Sequence, residues 1–374
     1  MKILRLILTL TLFVSPFVVG YYAFSQQNNV DTYTKYDEKI YVAIEAEGRV
    51  GVYDSTTRKL VKSINLSDSQ NGEFVKYTAH NVQVSPNGEF VLVTGNVNRG
   101  DMNDESDEKN NDGLYDKVFI IDPKNDSVVY SIPVERDAHL AHVVVNTTGT
   151  QAYVSSQEKS KVYVIDLESN KITRTIDLAD GDGPHGMRLS ADDSKLYVAL
   201  IGGKSITEVD LNNFQTKRFS FDGAVIQTAI SFDGNYIFGS VYDTKKVAWI
   251  DTNTSEQGYI ELPSDAKGSV QLYATPDSKY LYVVNQGYYF DQPKGNNIYR
   301  INIAEKQVDQ NIPTGDAPHG VVVDGMGKFA YVTNLISDDM SIVDTYTGKE
   351  VARIRVGNMP NGISIWNKKL GGTR

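Results

Sequence analysis

The stretch from Ala317 to Asn334, APHGVVVDGMGKFAYVTN, constrains this chain more than any other, because weaker copies of it return along most of the sequence. It joins a Pro-His-Gly entry, an alternating apolar run, a glycine turn and a second alternating run. Self-similarity of this kind outranks local readings, since each copy is one unit that buries its apolar face only against its neighbours. From Lys39 onward the alternation has a period of two, so the units are built of strands.

Three sub-patterns recur in fixed order. The first is an entry followed by an apolar strand and a tight turn, as in HNVQVSPNG from His80, HGMRLSADDS from His185 and HGVVVDGMG from His319. Asn, Asp and Gly there supply the positive-φ or pre-bent residues that a hairpin needs. The second is a strand centred on an aromatic-Val pair: Tyr41-Val42, Tyr153-Val154, Tyr197-Val198, Tyr282-Val283 and Tyr331-Val332. The third is a strand ending in Asp54, Asp122, Asp166, Asp210, Asp251, Asn302 or Asp344 before a polar turn and a last strand. A short carboxylate or amide at that point caps the turn by accepting backbone N–H groups, so this row reads as structural rather than metal-binding.

Four strands per unit at a spacing of roughly 40 to 45 residues define a β-propeller blade. The third sub-pattern occurs seven times. The first unit lacks its inner strand, whereas Asn358 to Trp366 is a Pro-x-Gly entry and inner strand with nothing after it. The prediction is an all-β, seven-bladed propeller of four-stranded antiparallel blades, closed by the C-terminal strand pairing into the N-terminal blade. Length alone suggests two or three domains, but an array of repeats makes one closed body. The expected division is 1–25 signal peptide or membrane anchor, 26–38 linker, 39–367 propeller and 368–374 tail.

The literal Tyr331-Val332-Thr333-Asn334, the Pro-His-Gly entries and the Val-x-Val-Ile-Asp strands resemble the YVTN family of β-propeller repeat proteins, including YncE-like exported bacterial members. The resemblance covers Lys39 to Trp366. It implies the fold, and it leaves activity open because propellers host many unrelated functions.

Composition narrows the partners. A formal net charge of -10 with pI about 5.1 argues against nucleic acid, whose binders carry a basic footprint. The absence of cysteine removes disulfides, thiolate metal sites, a cysteine nucleophile and c-type haem attachment. Lys2 and Arg5 precede the apolar run Leu6 to Val19, and Ala23-Phe24-Ser25 follows with small residues suited to cleavage. That pattern reads as a secretory signal, so the expected location is periplasmic or extracellular. An uncleaved anchor is the alternative, and only through it would the chain meet a membrane.

All five histidines fall at or just before first-strand entries: His80, His139, His142, His185 and His319. Asn361 takes the histidine's place in the closing blade. In a propeller the first strand lies innermost, so these side chains are expected at one mouth of the central channel. His80, His142 (or His139) and His185 belong to adjacent blades and are expected to converge, with His319 facing them. Imidazole suits Zn or Cu, each ligand holding its second N–H against another acceptor. The alternative is that the histidines only bond neighbouring turns.

Two insertions flank the same face. Asn98 to Asp116, with Asp101, Asp104, Asp107 and Asp112, reads as a solvated loop or a cation-attracting flap, and its spacing fails the EF-hand pattern. Gly287 to Pro293, with Tyr288, Tyr289 and Phe290, reads as a packed loop or a wall of a ligand site. There is no G-x-S-x-G elbow, H-E-x-x-H or Walker A loop. The leading expectation is an exported, non-enzymatic propeller binding a small molecule, transition metal or protein at the histidine face, in concrete form a periplasmic metal carrier or accessory protein. Propellers that the chain resembles also include lactonases and d1-haem proteins. Haem needs one axial histidine, whereas a lactonase needs converging carboxylates and an arginine, for which only Arg188 and Arg136 are nearby candidates. An inert interaction scaffold is the third reading.

Overall fold

A computed structural model describes residues 37–98 and 113–372, and the expected signal segment and the acidic insertion residues Asp101, Asp104, Asp107 and Asp112 lie outside them. Seven antiparallel sheets form the blades of a β-propeller. Their innermost strands are Pro360–Asn367, Glu73–Val84, Leu140–Val145, Pro184–Leu189, Val225–Ile230, Ser269–Ala274 and Pro318–Val323. Each of these strands packs against the next, and Pro360–Asn367 packs against both the last and the second blade, closing the ring.

Closure follows the expected route. The C-terminal strand pairs antiparallel with Glu38–Ile44, matching Lys39 with Trp366 and Tyr41 with Ser364. Two blades exceed four strands. Gly371–Gly372 adds a short edge beside Trp366 and Asn367, and Ser67–Gln70 pairs with the early part of Glu73–Val84. The second of these is a polar segment, SDSQ, with no apolar alternation to reveal it.

Three sets of side chains stabilise the blades and the contacts between them. The aromatic-Val pairs of the second strands are core residues: Tyr41, Tyr197, Tyr282 and Tyr331 are fully or almost fully buried. The third-strand row caps its turns in all seven blades. Thr57, Lys124, Ser169, Asn212, Thr254, Glu305 and Thr347 donate backbone N–H groups to Asp54, Asp122, Asp166, Asp210, Asp251, Asn302 and Asp344.

The third set lies at the channel. In every blade the pairing of the first and second strands slips at the entry end, a bulge that frees one backbone N–H. In four blades a second-strand hydroxyl takes it: Asn81 to Thr94 at 2.9 Å, His142 to Ser155 at 3.0 Å, Gln227 to Ser240 at 3.1 Å and Gly320 to Thr333 at 2.8 Å. Ser155, Ser240 and Thr333 then donate across the blade boundary to the carbonyls of His185, Val270 and Asn361. The threonine of Tyr331-Val332-Thr333-Asn334 is therefore a link between blades. The glycine of the entry has a matching cause, since a Cβ on Gly320 would stand 2.5 Å from the Asn361 carbonyl oxygen.

Candidate functional site at the channel mouth

The bulges aim consecutive entry residues into the channel. His80 with Asn81, Ala141 with His142, Ile226 with Gln227 and Val270 with Gln271 all line one cavity of about 410 Å³. His139, His185, His319 and Asn361 complete its entry side, so the five histidines and the asparagine of the sequence reading share one chamber. A second row comes from the loops between second and third strands: Glu45, Gln157, Ile201 and Tyr242. Tyr289 of the aromatic insertion also lines it, its ring perpendicular to His319 at 6.1 Å. Tyr288 is 43 % exposed, and the side chain of Phe290 lies outside the described residues.

Glu45 is the residue that sequence reasoning missed. It opens a 3-10 turn, Glu45–Glu47, and its Oε1 accepts from His80 Nδ1 at 3.0 Å while Oε2 accepts from the Asn361 amide at 2.7 Å. Burial alone would lift this carboxyl, but the His80 charge and hydrogen bond, the Asn361 amide and His319 bring it down to about 2. Burial would likewise lower His80, yet the Glu45 carboxylate outweighs it and raises the imidazole. The result is a proton held between a carboxylate and an imidazole at the cavity wall. The signal was an acid in a loop position where other blades carry Gln157, Ile201 and Tyr242.

Three further imidazoles, His142, His185 and His319, are lowered for separate reasons. His185 is held well below the ordinary range by burial and by His80, His139 and His319, against a small opposing effect of its bond to Ile226. Its Nδ1 lies 3.0 Å from the Ile226 carbonyl, which can only accept, so Nδ1 carries the proton and Nε2 is bare. His142 is lowered by burial and by the Arg188 guanidinium, whose Nη1 donates to His142 Nε2 at 3.2 Å. His319 falls to about 4 through burial and the His80 charge, partly offset by Glu45 and Asn361. Gln286 Nε2 stands 2.7 Å from its Nδ1.

The rings packed on His80 are His139 at 5.4 Å and His185 at 5.9 Å between centroids. His139 is placed there by its own left-handed backbone, φ 45°, and by Asp116, which accepts the N–H groups of Ala138 and His139. Among the described residues no group of three or more His, Asp or Glu side chains is drawn together tightly enough to hold a metal ion as it stands. Arg136, the other candidate cation, stacks on Tyr115 instead of lining the cavity.

This chain is a seven-bladed β-propeller with a histidine-lined chamber at one end of its channel. No protein-family model and no curated protein matches the sequence. Solved structures share its fold at low identity. A Lactobacillus plantarum protein superposes with a TM-score of 0.67 at 16% identity, covering 88% of this chain and 99% of that one. Kuenenia stuttgartiensis hydrazine synthase gives 0.61 at 19%, covering 79% and 94%. Virginiamycin B lyase from Staphylococcus aureus gives 0.61 at 14%, covering 79% and 93%.

Proposed function

We infer that this is an exported propeller of the YVTN type whose work is to bind a small polar molecule in the histidine chamber. The observation that carries the reading is the chamber's division into two arcs. His319, Asn361, His80 and His185, with Glu45 and His139, present donors and acceptors from one side, whereas Ile201, Ile226, Val270, Tyr242 and Tyr289 give a more apolar wall interrupted by the amides of Gln227 and Gln271. A volume of about 410 Å³ is the scale of a small organic ligand, and convergent polar groups with displaced pKa values mark such pockets. Export is supported by the N-terminal charge and apolar pattern, and the YVTN assignment by Tyr331 to Asn334 and the Pro-His-Gly entries.

A transition-metal carrier is the second reading, and one feature favours it. His80 and His185 each fix Nδ1 against an oxygen, Glu45 Oε1 or the Ile226 carbonyl, which leaves Nε2 for a metal in the manner of ligating histidines. His139 is the third imidazole of the cluster, its ring 5.4 Å from that of His80. His142, expected in this set on sequence grounds, already uses Nε2 on Arg188.

The test is native mass spectrometry of the folded chain purified from its own host. An organic adduct that is lost in both His185→Ala and Tyr289→Ala supports the first reading. Binding of added Zn²⁺ or Cu²⁺ that is lost in His185→Ala and His139→Ala but retained in Tyr289→Ala replaces it with the second. Adducts unchanged in all three variants overturn both.

A further inference from the structure

Arg188 lies three residues beyond His185 on the inner strand Pro184–Leu189, deeper in the channel and only 8 % exposed. A buried guanidinium ordinarily has a carboxylate beside it, because an unpaired charge away from water is costly. Arg188 has none among the described residues. Its Nη1 donates to the Met187 carbonyl at 2.7 Å and to His142 Nε2 at 3.2 Å. Burial lowers its pKa to about 10, with only Tyr273 acting against that shift. Asp193, an acid that lines one recess with Arg188, makes no ion pair with it and accepts the backbone N–H and hydroxyl of Thr147 on Oδ2.

The other edge of the guanidinium is different. Nε and Nη2 form no hydrogen bond with any described group, and they are not among the polar atoms sealed from solvent without a partner. Each therefore keeps some contact with solvent. Arg188 lines two recesses of about 30 and 20 Å³, each large enough for a water-sized group such as a carboxylate oxygen. Both lie toward the end of the channel opposite the histidines, next to the hairpin-turn residues Thr147, Ser190 and Ser231. Val144, Leu189, Ile230 and Phe232 provide apolar surface around them.

We propose that Arg188 is a carboxylate-binding site at the waist of the channel, its Nε–Nη2 edge gripping a small apolar monocarboxylate that enters from the face opposite the histidine chamber. An Nε–Nη2 edge matches a carboxylate in a planar, two-bond fork, which a lysine or a halide cannot reproduce. His142 contributes from behind by holding Nη1, which fixes the plane of the guanidinium. The proposal does not rest on which ligand the histidine chamber takes, although His142 lines that chamber as well.

The experiment titrates the full folded chain with butyrate at constant ionic strength, chloride serving as the control anion. Calorimetry and the arginine Nε–H resonance give the readouts. The expected result is saturable butyrate uptake with a shifted Arg188 Nε–H signal, weakened by about tenfold or more in Arg188→Lys and lost in Arg188→Met, but retained in His319→Ala. Arg188→Lys keeps the charge and so covers the case in which Arg188→Met does not fold. The proposal is overturned if butyrate does no more than chloride, if the Nε–H signal stays still, or if Arg188→Lys binds as the unaltered chain does. Failure of the histidine-chamber reading leaves the His319→Ala outcome unaffected, so the two are separable.

Discussion

Two rows of residues run round this propeller, and they obey different rules. The outer row ends the third strands with Asp54, Asp122, Asp166, Asp210, Asp251, Asn302 and Asp344, and each makes the same turn-capping bond. The inner row opens the first strands with Asn361, His80, Ala141, His185, Ile226, Val270 and His319, and no single side-chain contact is common to it. What repeats in every blade serves packing, which every blade must solve. What departs from the repeat is free of that duty and can face a ligand.

The sharpest way to break this comparison is to damage the repeated backbone device rather than the side chains it displays. Gly320→Val would drive a side chain into the Asn361 carbonyl, whose oxygen a bare Cβ would already meet at 2.5 Å. The expected loss is about 3 kcal/mol or more in urea unfolding, the scale of an overpacked core site. A loss no larger than that of an exposed substitution would mean the blades are not locked at this point.

Next in size is a pH effect confined to the inner row. His319 is neutral in the folded chain, lowered to about 4, whereas an unfolded histidine titrates near about 6.5. The unfolded state then takes up the proton first, so stability falls as pH drops from about 6.5 toward 4, by about 3 kcal/mol from this group. His319→Gln should flatten that acid limb in denaturation curves, and an unchanged slope would refute the assignment. The His80–Glu45 pair acts with opposite sign at its imidazole. His80 is raised, so its share of stability is present at lower pH and fades as pH rises through its folded pKa, while the Glu45 share is lost only as pH falls toward about 2.

The smallest effect belongs to the outer row. Asp344 accepts from the backbone N–H and hydroxyl of Thr347, and those bonds hold its carboxyl low. Asp344→Ala should lower the unfolding midpoint less than either change above and leave ligand or metal uptake untouched. A loss of uptake would erase the distinction between the rows.

Features that recur in every blade were legible in the sequence, and those that occur once were not. Seven turn caps, the aromatic-Val strands and the missing inner strand of the first unit were each visible because packing demands them at a regular interval. The histidines were legible as members of the entry row, and Asn361 as their substitute. Glu45 was not, because it lies outside that row in a short turn, and of its two partners His80 comes from the next blade while Asn361 reaches it only through ring closure. The choice between His139 and His142 was likewise hidden, since it depends on Arg188 claiming one ring and Asp116 positioning the other.

Ring closure carries a consequence for timing. Glu45 lies near the start of the folded body and Asn361 near its end, 316 residues apart, yet their side chains touch. A nascent chain that has not delivered Pro360–Asn367 lacks both the inner strand of its first blade and the amide that anchors Glu45. The chamber is thus completed only by the last strand of the ring to emerge, so its full lining exists only once synthesis and closure are finished.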